Sequence, residues 1–331
     1  MYGMGDGAIK IMRVFDSLGI VPSAFMASDE FVRGHDFLGY KVKKLSEIEV
    51  EYKDFIIVVC FGSALPDVMD RLYRLSEKYE LYAPDVPVIG GGLFDDDFAE
   101  KNADILAQTR GYFSDDFSKY VFDCWVNFRV SGKIEFLKNC ENAKAEAYDG
   151  LKLGENEVYV DLGAYNGDTV EEFLQLCGGN YESIYALEPD SRNYKKLSER
   201  FRGKERLFAY NAAAWEKDGT LTFFRRSGRN SSINDGRGKA VEIAARSVDS
   251  ILCGKPATFI KLDVEGCEKE ALLGAANTIS QYKPKLVVSL YHRTEDIIVL
   301  PALIKKLRGD FTLQLRHHPY IPAWDMNLYC F

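Results

Sequence analysis

Apolar residues in the second half of the chain fall into short runs that alternate with amphipathic stretches. Val158–Leu162, Ser183–Leu187, Arg206–Asn211, Ala257–Leu262 and Lys285–Leu290 have the length of strands. Between them the period becomes helical: Val170, Phe173, Leu174 and Cys177 form an i, i+3, i+4, i+7 stripe. Tyr194, Leu197 and Phe201 follow the second strand in the same way, with Asp190 or Ser191 as cap, and Ala271, Leu272, Ala275 and Ile279 follow the fourth. Strands that alternate with helices predict βαβ units around a mostly parallel sheet. Phe311–His317 and Met326–Cys330 are separated only by a short, Pro-containing link, which predicts an antiparallel hairpin. His317, His318 and Pro319 at its tip read as a solvated turn.

The first half repeats the alternation less regularly. Pro22–Ser28 and Asp54–Cys60 are strand-length runs, and Gly3-Met4-Gly5-Asp6-Gly7-Ala8 fits G-x-G-x-x-A ahead of a helix bearing Ile9, Met12 and Leu18. With Asp29 at the end of the next strand this is the dinucleotide fingerprint, yet only Met1 and Tyr2 precede Gly3, so the first strand is missing or severely shortened. From Phe94 to Asn142 the pattern is helical and aromatic (Phe113, Phe117, Tyr120, Val121, Cys124, Trp125, Phe128), with Ser114, Asp115 and Asp116 at a helix start. The expected organisation is a Rossmann-like nucleotide-binding-type domain over 1–92, a helical connector over 93–150 and a second α/β domain over 151–331.

Composition narrows the classes. A chain of 331 residues with 47% hydrophobic and 28% charged residues is of ordinary globular type. The net charge of -8 argues against a general affinity for nucleic acid, and the longest apolar run, Phe55–Phe61, is far shorter than the ~18 residues of a membrane helix. The start carries no basic segment followed by an apolar one, as a secretory signal would. Seven scattered cysteines without a C-x-x-C pair suggest reduced thiols, so a cytoplasmic location is expected.

The strongest chemical constellation follows the strand at Val158. Asp161, Gly163, Ala164, Tyr165, Gly167, Asp168 and Thr169 make a glycine turn between strand and helix, where open α/β sheets bind ligands. The spacing is G-x-x-x-G and two carboxylates bracket it, which suits a cationic ligand without phosphate better than a pyrophosphate. S-adenosylmethionine, with its sulfonium and ammonium, is such a ligand. Glu188, followed by Pro189, ends the second strand where a carboxylate accepts hydrogen bonds from both ribose hydroxyls. Along the fourth strand Lys261, Asp263 and Glu265 point the same way, while Glu268 falls at the start of the next helix. His292, at the end of the fifth, is the one of four histidines at a strand end facing the expected pocket.

These stretches resemble the FkbM-type methyltransferase family over residues 155–331. Asp161-Leu162-Gly163-Ala164 with Gly167-Asp168-Thr169 is similar to its first motif, and Tyr185-Ala186-Leu187-Glu188-Pro189 to its second. Asn211-Ala212-Ala213 and Ser231-Ser232-Ile233 resemble later stretches, and Lys261 to Glu268 resembles the K-x-D-x-E-G-x-E signature. Ser289 stands where a glutamate is common in the family. The resemblance implies a class I methyltransferase, α/β with a Rossmann-like sheet closed by the C-terminal hairpin, that uses S-adenosylmethionine to O-methylate a hydroxyl of a sugar, glycan or natural product. Asn211 and Ala212 join the expected cofactor site on this basis. The start of the chain is similar to the Rossmann-like domain ahead of sugar acyltransferases.

On the acceptor side, His292 is the expected base, with Asp263 and Glu265 beside it. A divalent metal held by these three is the lesser alternative, and no metal is assigned. The basic stretch between Phe223 and Arg246 reads as a flexible loop over the acceptor, with Arg229, Ser231, Ser232 and Arg237 as candidate contacts to a small-molecule or glycan acceptor. Other classes stay open: an NAD(P)- or nucleotide-sugar-linked oxidoreductase or epimerase using the first domain, and a non-catalytic cofactor binder.

Overall fold

The run Val158–Leu162 has no room for an exposed face, and in the folded chain it lies mid-sheet. The computed structural model describes residues 1–32, 34–90, 92–225, 232–233 and 239–331, with backbone alone at 223–225, 232–233 and 239. Seven strands form the main sheet: β1 (Val158–Leu162), β2 (Ser183–Leu187), β3 (Leu207–Tyr210), β4 (Phe259–Leu262), β5 (Lys285–Ser289), β6 (Leu313–His317) and β7 (Met326–Cys330). Their order is β6-β7-β5-β4-β1-β2-β3. The five from β1 to β5 are parallel, while β7 runs antiparallel between β5 and β6. The expected closing hairpin is therefore present.

The register of the central strands sets Asp161 of β1 directly across from Lys261 of β4. The reversal of strand order falls between β1 and β4, where a crevice opens at the carboxyl ends of an α/β sheet. Val170 and Phe173 of the helix Asp168–Leu176 and Leu197 of the helix Ser191–Arg200 are buried, as their stripes predict. Asp190 caps the second of these helices, accepting from the backbone N–H of Arg192 at 2.8 Å and of Asn193 at 3.2 Å.

Two expectations do not hold. His317 and His318 do not lie in a solvated turn; both are buried. His318 Nδ1 lies 2.9 Å from the Asn142 carbonyl and Nε2 lies 2.7 Å from the Tyr329 hydroxyl, while burial pushes His317 down to about 3. The helices that pack over β6 cover the turn, which strand patterning alone does not show. Nor is the basic stretch wholly a loop. Gly219–Arg225 and Lys239–Arg246 pair antiparallel, flanked by Ser232–Ile233 and by Ala212–Ala214, because Leu221, Val241 and Ile243 alternate onto Ala213 and Cys267. Arg229, Ser231 and Arg237 lie outside the described residues, as does the side chain of Ser232.

In the first half, Phe25–Met26, Tyr40–Lys43 and Asp36–Phe37 form one small sheet, and Ile56–Val58 with Glu80–Tyr82 another. Residues 1–3 join them. Tyr2 N–H donates to Val58 O at 2.7 Å and Gly3 N–H to Met26 O at 2.9 Å, so the first strand is present in the severely shortened form. The helix Asp6–Leu18 comes next and closes at Gly19, whose left-handed backbone (φ 69°) suits glycine.

The intervening residues are helical, and the helix Asp116–Ser131 lies on β6. Its Val121, Phe122, Trp125 and Phe128 join a core continuous with both the small sheets and the main one. Arg129 is buried between Trp125 and Phe94, 4.7 Å and 4.9 Å from their rings, and pairs with Asp85. Asp115 caps the helix, accepting from Ser118 N–H at 2.8 Å and its hydroxyl at 2.7 Å, and it also meets Arg316 of β6. Asp115→Ala is expected to lower stability by about 1–2 kcal/mol, read as a lower urea midpoint at unchanged m. No helix of the described residues is long and apolar enough to cross a membrane.

Candidate active site

Three loops meet at the carboxyl ends of β1, β2 and β4. The first turns at Gly163 (φ 85°), where an added Cβ would stand 1.9 Å from the Asp263 carbonyl oxygen. The glycine therefore serves the contact between two protein loops. Gly163 and Ala164 N–H donate to the Leu187 carbonyl at 3.0 and 2.9 Å, which pins the loop to the end of β2. Gly167 (φ 88°) lets the chain pass over Phe201 into the helix from Asp168. Thr169 donates its hydroxyl to Asp161. Burial raises the Asp161 carboxyl above its ordinary value, and Lys261 and Thr169 oppose that shift.

Glu188 closes the second loop. Its Oε2 accepts from Tyr165 N–H at 2.9 Å and its Oε1 from Asp190 N–H at 2.8 Å, so the carboxylate is held at the rim of the crevice by two amides. Burial pushes it up to about 7 despite those donors. Asn211 braces this turn from behind, donating to the carbonyls of Glu188 and Pro189 at 2.9 and 3.0 Å.

The third group stands on β4 and β5. β4 ends at Leu262, so strand alternation no longer sets Glu265, which takes a left-handed turn (φ 53°). It nevertheless meets the same histidine as Asp263: His292 Nε2 lies 3.4 Å from Asp263 Oδ1 and 3.6 Å from Glu265 Oε2. On the far side of the ring, Nδ1 lies 2.9 Å from Glu268 Oε1, and Glu268 also accepts from Val264 N–H at 2.9 Å. Burial would lower His292, but Glu268, Glu265 and Asp263 together raise it to about 10. It is an imidazolium near neutral pH. Burial opposes ionisation of Asp263, yet Lys261 and His292 hold its carboxyl below the ordinary range. The Tyr291 hydroxyl donates to Asp263 at 3.2 Å.

All three loops open into one cavity of about 590 Å3. Ligand atoms of Asp263, Glu268 and His292 lie within 4.8 Å of one another, close enough for a cation, a set with Glu268 where the expected triad had Glu265. Segments from the first half complete the wall, among them Gly5 to Gly7 and Phe61–Gly62. Ile89 N–H donates to the His292 carbonyl at 3.0 Å, and Ser63 and Ile321 exchange backbone bonds of 2.8 and 3.0 Å.

Known proteins share this fold. Residues 161–313 match the family model described as Methyltransferase FkbM domain. That span contains the glycine turn, Glu188, Asp263 and His292. It is an FkbM methyltransferase domain. No curated protein matches the sequence significantly. Among solved structures, the Methyltransferase FkbM from Methylobacillus flagellatus KT aligns with a TM-score of 0.73 and 22% identity, over 93% of this chain and 83% of that one. The shared fold thus includes the first half. An rRNA methylase from Streptococcus thermophilus aligns at TM-score 0.37 and 16% identity, over 56% of this chain and 93% of that one. Fibrillarin from Aeropyrum pernix, solved with natively bound S-adenosylmethionine, aligns at 0.37 and 13%, over 57% and 74%.

The cofactor of an FkbM domain is S-adenosylmethionine, and the donor set fits it: carboxylates of Asp168, Glu188, Asp190 and Asp263 border the cavity, as a cationic sulfonium and ammonium require. Of the expected cofactor residues, Gly163, Tyr165, Asp168, Thr169, Glu188, Pro189 and Asp263 line the cavity of this FkbM domain. Asp161, Ala164, Gly167 and Asn211 stand behind it and shape it, and Ala213 and Ala214 reach the cavity where Ala212 does not. Sequence reasoning missed Tyr320 and Trp324 of the β6–β7 link, which also line it; the Tyr-Ile-Pro-Ala-Trp run was the available signal. At the N-terminal fingerprint, the space for Gly3 and Gly7 has a packing cause, since a Cβ would meet Phe61 at 2.6 Å and the Cys60 carbonyl at 2.3 Å respectively.

Proposed function

We propose that this FkbM domain O-methylates a hydroxyl of a sugar, glycan or natural product. The observation that carries the reading is the convergence of Asp263, Glu265 and His292 in the cavity that Glu188 and the glycine turn also border. S-adenosylmethionine supplies an electrophilic methyl group there. Glu188 grips the ribose hydroxyls, and the Asp161–Thr169 loop holds the methionine part.

Methyl transfer to oxygen is chiefly positioning: the hydroxyl must stand in line with the methyl while its proton leaves. A resting imidazolium cannot accept that proton, so the part of His292 differs from the base that its ordinary pKa suggests. It orients Asp263 and Glu265 and helps to hold Asp263 ionised. Asp263, a carboxylate with one oxygen toward Tyr291 and His292, receives the hydrogen bond from the acceptor hydroxyl and then the proton. Glu268 fixes the ring from behind, the way a buried carboxylate fixes many functional histidines.

The test is a methyl-transfer assay against a panel of hydroxyl acceptors, run beside calorimetry with S-adenosylmethionine. Asp263→Asn should lower turnover roughly 100- to 1000-fold while cofactor affinity changes only a few-fold. Cofactor binding with no turnover on any hydroxyl acceptor would overturn the reading in favour of a binding protein.

A further inference from the structure

Lys261 is a charged side chain to which the proposed methyl transfer gives no task. It sits on β4 directly across from Asp161 of β1, at the reversal of strand order. The residue is only 7% exposed, yet it lines the cavity. Its closest carboxylate oxygen, Asp263 Oδ2, is 3.6 Å away, beyond hydrogen-bond length. Among the described residues Nζ makes no hydrogen bond, and neither does Asp161 Oδ1.

A buried ammonium carries three donors, and leaving all of them unmet is strongly unfavourable. Burial alone would drive Lys261 toward the neutral amine, but Asp263 and Asp161 keep it above its ordinary value. It is therefore a fixed cation and not a base. A fixed cation with unmet donors, its Nζ covered at the wall of a cavity, calls for an anionic oxygen that arrives with a ligand. The amino-acid end of S-adenosylmethionine brings a carboxylate and an ammonium together. Lys261 matches the first of these, and the carboxylate of Asp168 matches the second. Lys261 also stands on β4 beside β1, and the loops that follow these two strands touch at Gly163 and Asp263.

We propose that Lys261 binds the α-carboxylate of the cofactor, donating to it from Nζ. This rests on the placement of the methionine part at the Asp161–Thr169 loop.

Calorimetry of the full chain with S-adenosylhomocysteine and with 5′-methylthioadenosine, which lacks the amino-acid end, tests it. Lys261→Met should weaken S-adenosylhomocysteine roughly 10- to 100-fold and leave methylthioadenosine within about threefold, while Lys261→Arg recovers much of the loss. An equal loss for both ligands would mean a structural role as counter-ion to Asp161 and Asp263, and would overturn the proposal. So would unchanged S-adenosylhomocysteine binding with a raised acceptor KM, which would assign the ammonium to the acceptor. A second measurement needs no variant: the wild-type chain should bind decarboxylated S-adenosylmethionine roughly 10- to 100-fold more weakly than S-adenosylmethionine, and equal binding overturns the assignment. Wild-type protein that binds no adenosyl ligand would instead overturn the cofactor reading on which the proposal rests.

Discussion

Replacement of Glu188 by alanine is expected to weaken S-adenosylmethionine binding by about 100- to 1000-fold. In the proposed ribose grip two charge-assisted hydrogen bonds would be lost, each worth about 1.5–3 kcal/mol, and the sum falls somewhat short of additivity. The variant also strips the amides of Tyr165 and Asp190 of their acceptor, so part of the loss reflects a loosened loop. Glu188→Gln separates the two contributions, since it keeps the shape and one acceptor oxygen. The pH response gives an independent reading. Burial raises Glu188 to about 7, so in the free protein it takes up a proton as pH falls through 7. Ribose hydroxyls donate to the ionised form, so affinity should be highest above pH 8 and decline toward pH 6 by at most about tenfold per unit. Glu188→Gln should lose that slope. Calorimetry across pH 6–8 checks it, and a slope equal in wild type and variant would remove Glu188 from the ribose site.

The second large effect is expected at Gly163. Gly163→Ala places a methyl 1.9 Å from the Asp263 carbonyl oxygen and 2.8 Å from its carbon, in a backbone conformation (φ 85°) that side-chain-bearing residues rarely adopt. Neither neighbour is a movable side chain. Relief requires the loops after β1 and β4 to part, and the expected cost is about 3–5 kcal/mol of stability, with cofactor binding impaired in any protein that folds. Gly178→Ala is the control. Its φ of 61° is also left-handed, but nothing lies within 4 Å of the added carbon, so only about 1–2 kcal/mol should be lost. Similar losses at the two positions, measured by urea denaturation, would show that conformation and not the loop contact governs Gly163.

The strands of the main sheet were legible because each is a short apolar run bounded by turns, and a parallel sheet buries both faces of its strands. The position of Glu188 was legible too, since a ligand-facing carboxylate at a strand end depends on order along the chain. The Glu268–His292 pairing was not. Glu268 reads as an ordinary acid in the first turn of a helix, and its contact with the ring depends on β4 and β5 lying side by side. The proton load of His292 escapes a sequence reading for the same reason: it is the joint effect of three carboxylates brought together by folding. The hairpin of Gly219–Arg225 and Lys239–Arg246 was masked by its arginines and glycines, although Leu221, Val241 and Ile243 already carried the two-residue period. At Gly163 the glycine was legible and its reason was not, because the close neighbour is a carbonyl about a hundred residues further along the chain.

The backbone bond from Ile89 to the carbonyl of His292 has a bearing on modularity. His292, whose ring lies among the acids of the site, is tied through its own main chain to a segment that precedes the glycine turn in sequence. Thr294 adds a second tie through its side chain, donating its hydroxyl to the Gly92 carbonyl at 2.6 Å. A stretch beginning near residue 151 would keep every side chain with a chemical role and still lack the scaffold that seats one of them. For protein engineering, the smallest useful piece is therefore set by this stitching and not by the limits of the methyltransferase motifs.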